Sequence, residues 1–73
     1  MRKPTLKKDD LVQNRSNYDY ADRDFIVRTI PALSVGMVKE VFSYAGGWLV
    51  KAKFYGHPWM LFLPTSLKKV RLR

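Results

Sequence analysis

The chain has a single histidine, His57, in the stretch FYGHPWMLFLP (residues 54–64). An imidazole is the usual general base or metal ligand near neutral pH, so its surroundings are the first thing to read. To act as a base, His57 needs an orienting partner and a nearby nucleophile, and no Ser or Asp stands at a recognised spacing to it. A zinc site would need more donors than one His, no Cys and acids concentrated early in the chain can supply. Asp19, Asp22 and Asp24 fall near the spacing of a calcium loop, but the glycine and the closing Glu of such a loop are missing. The glycines of AGG (45–47) lead into a strand pattern instead of a helix start, so they do not form a phosphate-cradling loop. The expectation is a protein that is not an enzyme and needs no cofactor or metal, with His57 in a turn next to Pro58.

Charge is the stronger signal. The 73 residues carry 14 Lys and Arg against 6 Asp and Glu, a net charge of +8. Residues 1–8 contribute +4, residues 9–34 contribute −2, and residues 35–73 contribute +6, so the positive charge lies at the start and in the second half. A field of this sign draws in polyanions, nucleic acid first among them, although many small basic proteins use charge only for solubility. The residues best suited to a nucleic-acid site are Lys39, Lys51, Lys53, Lys69 and Arg71, with Tyr55 and Trp59 as aromatic platforms and Tyr44 nearby. Phosphate contacts give affinity, and stacking gives a grip that tolerates any base. If strand neighbours line up, Lys51 and Lys53 join Lys69 and Arg71 in one basic surface. Alternation with Val50 and Phe54 assigns Trp48 to the core and leaves Trp59 open between core and surface.

Strands must position these residues, because no window has the apolar recurrence of an amphipathic helix. WLVKAKFY (48–55) alternates Trp48, Val50, Ala52 and Phe54 with Leu49, Lys51, Lys53 and Tyr55, the pattern of a strand buried on one face. Residues 37–44 and 48–55 read as a hairpin closed at Ala45–Gly47, and Gly56 permits the next turn. PWMLFLP (58–64) is a short strand between prolines, apolar on both faces, so it is either covered twice or leaves an apolar patch exposed. Pro64, Thr65 and Ser66 suit one tight turn before a last strand with Leu67, Val70 and Leu72. A first strand covers Asp10–Gln13, and the polar stretch 14–24 reads as a long exposed loop, with Tyr18 and Tyr20 as exposed aromatics within it. A chain this short buries only about 60 % of the surface it exposes when unfolded, and without cysteine it must rely on packing.

This order of elements resembles an SH3-like small barrel. MLFLPTSLKKV (60–70) is similar to the end of such a domain, where an apolar strand meets a proline, a brief helical turn and a closing strand. LSVGMVKEVF (33–42), with Gly36, Val38 and Val41, resembles the Gly-x-Val-x-x-Val opening of the second strand in KOW and other bacterial SH3-like modules. The ALYDY strand and paired tryptophans of peptide-binding SH3 domains are absent, and NYDYAD (17–22) is only a superficial echo. The resemblance implies an all-β, five-stranded small barrel over residues 9–73, with a long early loop, a one-turn 3-10 helix before the last strand and a basic tail at 1–8. It also implies nucleic-acid or assembly functions ahead of Pro-rich peptide recognition. The expected partner is DNA or RNA held through its backbone with little base specificity. The alternatives are an acidic protein partner docking on the apolar 58–64 strand, or a second copy of the chain. No apolar run nears the roughly eighteen residues of a membrane span, and a cytoplasmic location is expected.

Overall fold

In the computed structural model, which describes residues 3–71, the chain is all-β. The N-terminal Met1 and Arg2, and the Leu72 and Arg73 expected in the last strand, lie outside the described residues. Seven strands form in order: β1 (Leu11–Asn14), β2 (Tyr18–Ala21), β3 (Val27–Ile30), β4 (Val35–Tyr44), β5 (Gly47–Phe54), β6 (Met60–Phe62) and β7 (Leu67–Lys69), with a 3-10 turn at Pro64–Ser66 before β7. Five make one antiparallel sheet in the order β6-β5-β4-β1-β7, and β2 pairs with β3 as a separate hairpin. Among the described residues no helix is long and apolar enough to cross a membrane.

The expected closed barrel is not what forms, because β6 and β7 end the sheet as unpaired edges. The cause is local. The four residues between these strands go into the 3-10 turn, with Ser66 N–H donating to the Leu63 carbonyl, and Pro64 has no N–H to offer a ladder. The sheet is nevertheless strongly curled. Five flat strands at ~4.8 Å spacing would set the edges ~19 Å apart. A link that advances only ~2 Å per residue through its 3-10 part cannot span that distance.

The long hairpin β4–β5 is the backbone of the sheet. Its two-residue loop holds Ala45 at φ 49° and Gly46 at φ 80°, the left-handed pair that matches strand twist. Val38 and Val41 are three apart, the wrong parity for one face of a regular strand, yet Val38 is buried and Val41 packs against the core. A bulge between Val38 and Glu40 absorbs the extra residue, Lys39. Gly36 has a different reason to be glycine. A Cβ there would lie 2.6 Å from the Lys53 carbonyl oxygen and 2.8 Å from the Phe54 ring.

Val12, Val38, Val50, Ala52, Phe54, Phe62 and Leu67 of the sheet, with Leu6 and with Ile30 of β3, form the core. The stretch read as an exposed loop contains β2, and Tyr18 and Tyr20 are half-buried, packing on that core. The Tyr18 ring lies 4.7 Å from the ring of Phe62. The first strand is displaced by one residue from expectation, ending on the buried Asn14. The Asn14 amide nitrogen, Nδ2, donates to the carbonyls of Ser16, Ile30 and Pro31 at 3.0, 3.2 and 2.8 Å, tying β1 to the far end of the β2–β3 hairpin.

At the other end of that hairpin, Asp22 organises the tip. Its Oδ1 accepts from the backbone N–H of Asp24 and of Ile26, and its Oδ2 accepts from Arg28 Nε at 2.7 Å. This arrangement holds Phe25 in the left-handed region at φ 61°, with its side chain 88 % exposed.

Candidate functional site

The parity of β5 sends Val50, Ala52 and Phe54 inward and Lys51 and Lys53 outward. Register then fixes their neighbours on the outer face. Met37 lies opposite Lys53, Glu40 and Leu61 flank Lys51, and Phe42 lies opposite Leu49. Lys39 reaches the same region because of the bulge, which frees it from the ladder, and its Nζ sits 4.9 Å from the Trp59 ring centroid as a cation–π contact. Lys53 Nζ donates to the His57 carbonyl at 2.8 Å, clamping the turn between β5 and β6. Trp59, left open by its sequence context, is 39 % exposed. Tyr55 is 98 % exposed at that turn, where Gly56 takes φ 80° and His57 N–H closes on the Phe54 carbonyl.

Lys39, Lys51, Lys53, Tyr55 and Trp59 therefore share one neighbourhood, whereas Lys69 and Arg71 do not join it. Two strands, β4 and β1, lie between the lysine pair on β5 and the edge strand β7. Lys69 pairs with the buried Val12 and has the same parity as the buried Leu67, so it points towards the face opposite Lys51 and Lys53. There it is partly neutralised, with Nζ 3.5 Å from Asp10 Oδ2. Arg71 lines a depression with Asp9 and Asp10, which adds acids to its surroundings. Tyr44 is exposed at the far hairpin end, away from the Gly56 turn.

His57 has a partner that sequence spacing does not reveal. The Tyr20 hydroxyl and His57 Nδ1 are hydrogen-bonded at 2.7 Å, and their rings meet edge to face, joining β2 to the β5–β6 turn. Among the described residues no group of three or more His, Cys, Asp or Glu is placed to hold a metal ion. The clearest displaced acid–base equilibria belong to the hairpin tip. The hydrogen bond from Arg28, supported by the Ile26 amide, holds the Asp22 carboxyl below its usual range, and the same bond raises Arg28.

A second concave region lies beside the 3-10 turn, and the strand pattern of the sequence gives no hint of it. Trp48 faces inward as its parity demands but stands beyond the end of the packed core, half-buried, in a cavity of about 610 Å³. Pro64 and Leu67 form other parts of its wall. Lys3, Arg15, Lys68 and Lys69 line it as well, with no acidic residue among the described ones. The Lys3 ammonium lies 5.9 Å from the Trp48 ring centroid, and the Arg15 N–H donates to the Ser66 carbonyl, which anchors that segment beside the 3-10 turn. The expectation that Trp48 is a core residue is thus half right: the face is correct, the environment is a pocket.

Comparison with protein-family models, curated proteins and solved structures returns no match for this chain. Its functional reading rests on these surfaces.

Proposed function

We propose that this chain is a non-enzymatic, cytoplasmic binding module with an SH3-like curled sheet that holds DNA or RNA through the phosphate backbone. The observation that carries the proposal is the outer-face cluster of Lys39, Lys51 and Lys53 around the exposed Trp59, with Tyr55 beside it. Among the described residues the ion pairs are Arg28–Asp22 and Lys69–Asp10, which leaves these three lysines without a carboxylate partner. Glu40, opposite Lys51, offsets part of this charge, but three ammonium groups outside any ion pair, next to an aromatic face, suit a phosphodiester strand whose bases stack where they can. Among the described residues no α-helix is available to enter a major groove, so base reading is weak and affinity is dominated by charge. Titrating single-stranded and duplex oligonucleotides at low and high salt tests this: binding at low salt that weakens steeply with added salt is expected, and no binding at low salt rejects the proposal.

A second reading has its own observation. Val35, Met37, Leu61 and Leu63 are exposed large apolar residues on or beside the same outer face, and β6 is an open edge. An acidic protein or a second copy of the chain covering this face would bury them, with the lysines steering approach. Light scattering over a range of protein concentrations distinguishes a self-associating chain from one that stays monomeric.

A further inference from the structure

The cavity beside Trp48 combines two properties that rarely coincide on a solubility surface: an aromatic and apolar wall, and charged lining residues that are all cations. Lys69 is engaged with Asp10, but Lys3, Arg15 and Lys68 have no ion-pair partner among the described residues. The volume, about 610 Å³, falls within the range of about 300–1,000 Å³ usual for small-ligand sites. An occupant must therefore offer a flat apolar body and more than one negative charge spread around it. A terminal carboxylate needs only one such cation, whereas a nucleotide within a strand brings a base and a phosphate on either side.

We propose that this pocket takes one unstacked nucleotide of a single-stranded nucleic acid, its base against Trp48 and Pro64 and its flanking phosphates on Lys3, Arg15 and Lys68. The inference rests on the nucleic-acid reading above and adds to it a second contact region, beside Trp48 and the 3-10 turn. It also adds a preference. A base in a duplex is already stacked and must be pulled out before it can enter, so single strands bind better than duplexes.

The test uses the natural chain for the anisotropy and, for the fluorescence, the full chain carrying Trp59→Phe, in which Trp48 is the sole tryptophan. A short oligothymidylate and a duplex of equal length are titrated in, following both Trp48 fluorescence and the anisotropy of labelled oligonucleotide. The expected result is saturable quenching of Trp48 by the single strand and little by the duplex. Arg15→Glu with Lys68→Glu should weaken single-strand binding by about tenfold or more and flatten the salt dependence by a slope of about 1.4, roughly 0.7 for each phosphate no longer neutralised. If anisotropy reports binding while Trp48 stays silent and the two reversals leave affinity within about twofold, the pocket assignment is wrong and the nucleic-acid reading survives. If anisotropy does not move at low salt with either oligonucleotide, both are wrong. If Trp48 responds instead to a peptide ending in an aromatic residue with a free carboxylate, and not to the oligonucleotide, the occupant is a protein terminus and the proposal is overturned.

Discussion

Replacing Asn14 by aspartate exchanges one NH₂ group for an oxygen, and the position makes that small change expensive. The side chain is 2 % exposed, and its Nδ2 faces three backbone carbonyls at 2.8 to 3.2 Å. Its own Oδ1 is buried without a hydrogen-bond partner among the described residues, so the donor end is what the fold uses. Removing the donor with Asn14→Ala takes away three hydrogen bonds, the one to the Ile30 carbonyl buried and the other two part-buried, with a net value of about 1 kcal/mol each and a total of about 3 kcal/mol. Asn14→Asp is worse at neutral pH because an ionised carboxylate would face three carbonyl oxygens. That carboxyl ionises less readily in the folded protein than in the unfolded chain, where its pKa is about 3.9. Its raised folded pKa means the ionisation penalty is absent below about pH 3.9 and grows as pH rises towards the folded value. Urea denaturation of the natural chain and both variants, at neutral pH and in mild acid, reads this as a shift in midpoint at constant slope. Asn14→Asp should show the larger deficit at neutral pH, and part of it should be recovered in acid. A neutral-pH deficit below about 1 kcal/mol would refute the argument that Nδ2 holds the hairpin to the sheet.

Three further outcomes follow from local geometry. Gly36→Ala should cost about 1–3 kcal/mol in a thermal or urea melt, since its Cβ meets the Lys53 carbonyl and the Phe54 ring inside normal contact distance. Ala45→Gly should stabilise by up to about 1 kcal/mol, because Ala45 holds φ 49° where an L side chain is strained and nothing else in the turn requires a methyl group. Asp22 has a lowered pKa through Arg28 and the Ile26 amide, so its stabilising effect is present above the unfolded carboxylate range and is lost as pH falls through the folded value. Asp22→Asn should remove that part of the acid dependence, which amide proton exchange at the hairpin tip can follow, and an unchanged acid profile would contradict the assignment.

Much of the larger sheet was legible because its signals are local. The alternation of Trp48 to Tyr55 sets one face of β5, Gly56 adopts the left-handed turn expected of it, and Pro64 to Ser66 forms the 3-10 turn before the last strand. The hairpin 18–30 was hidden because its period-two signal, Tyr18 and Tyr20 inward with Asp19 outward, is carried by polar and aromatic residues instead of aliphatic ones. Its strands are also held by side-chain pairs such as Thr29 Oγ1 to Asp19, which composition alone assigns to a loop. The candidate site divided for a simple reason: Leu67 and Lys69 have the same parity, so burying the first turns the second away from Lys51 and Lys53. Asn14 with the Ile30 and Pro31 carbonyls, and Tyr20 with His57, depend on partners 16 or more residues away, and no spacing rule reaches that far. Trp48 shows the limit of alternation, which gives the direction of a side chain but not whether anything covers it.

The proposed hold of the outer-face lysines on a nucleic-acid backbone is tested by the salt dependence of oligonucleotide affinity for the natural chain against Lys51→Glu/Lys53→Glu. Both side chains point out of the sheet, so the fold should survive the change, which circular dichroism checks. The variant should bind single strands more weakly and with a salt slope shallower by about 1.4, two phosphate contacts at about 0.7 each. An unchanged affinity and slope in a folded variant would contradict the proposal.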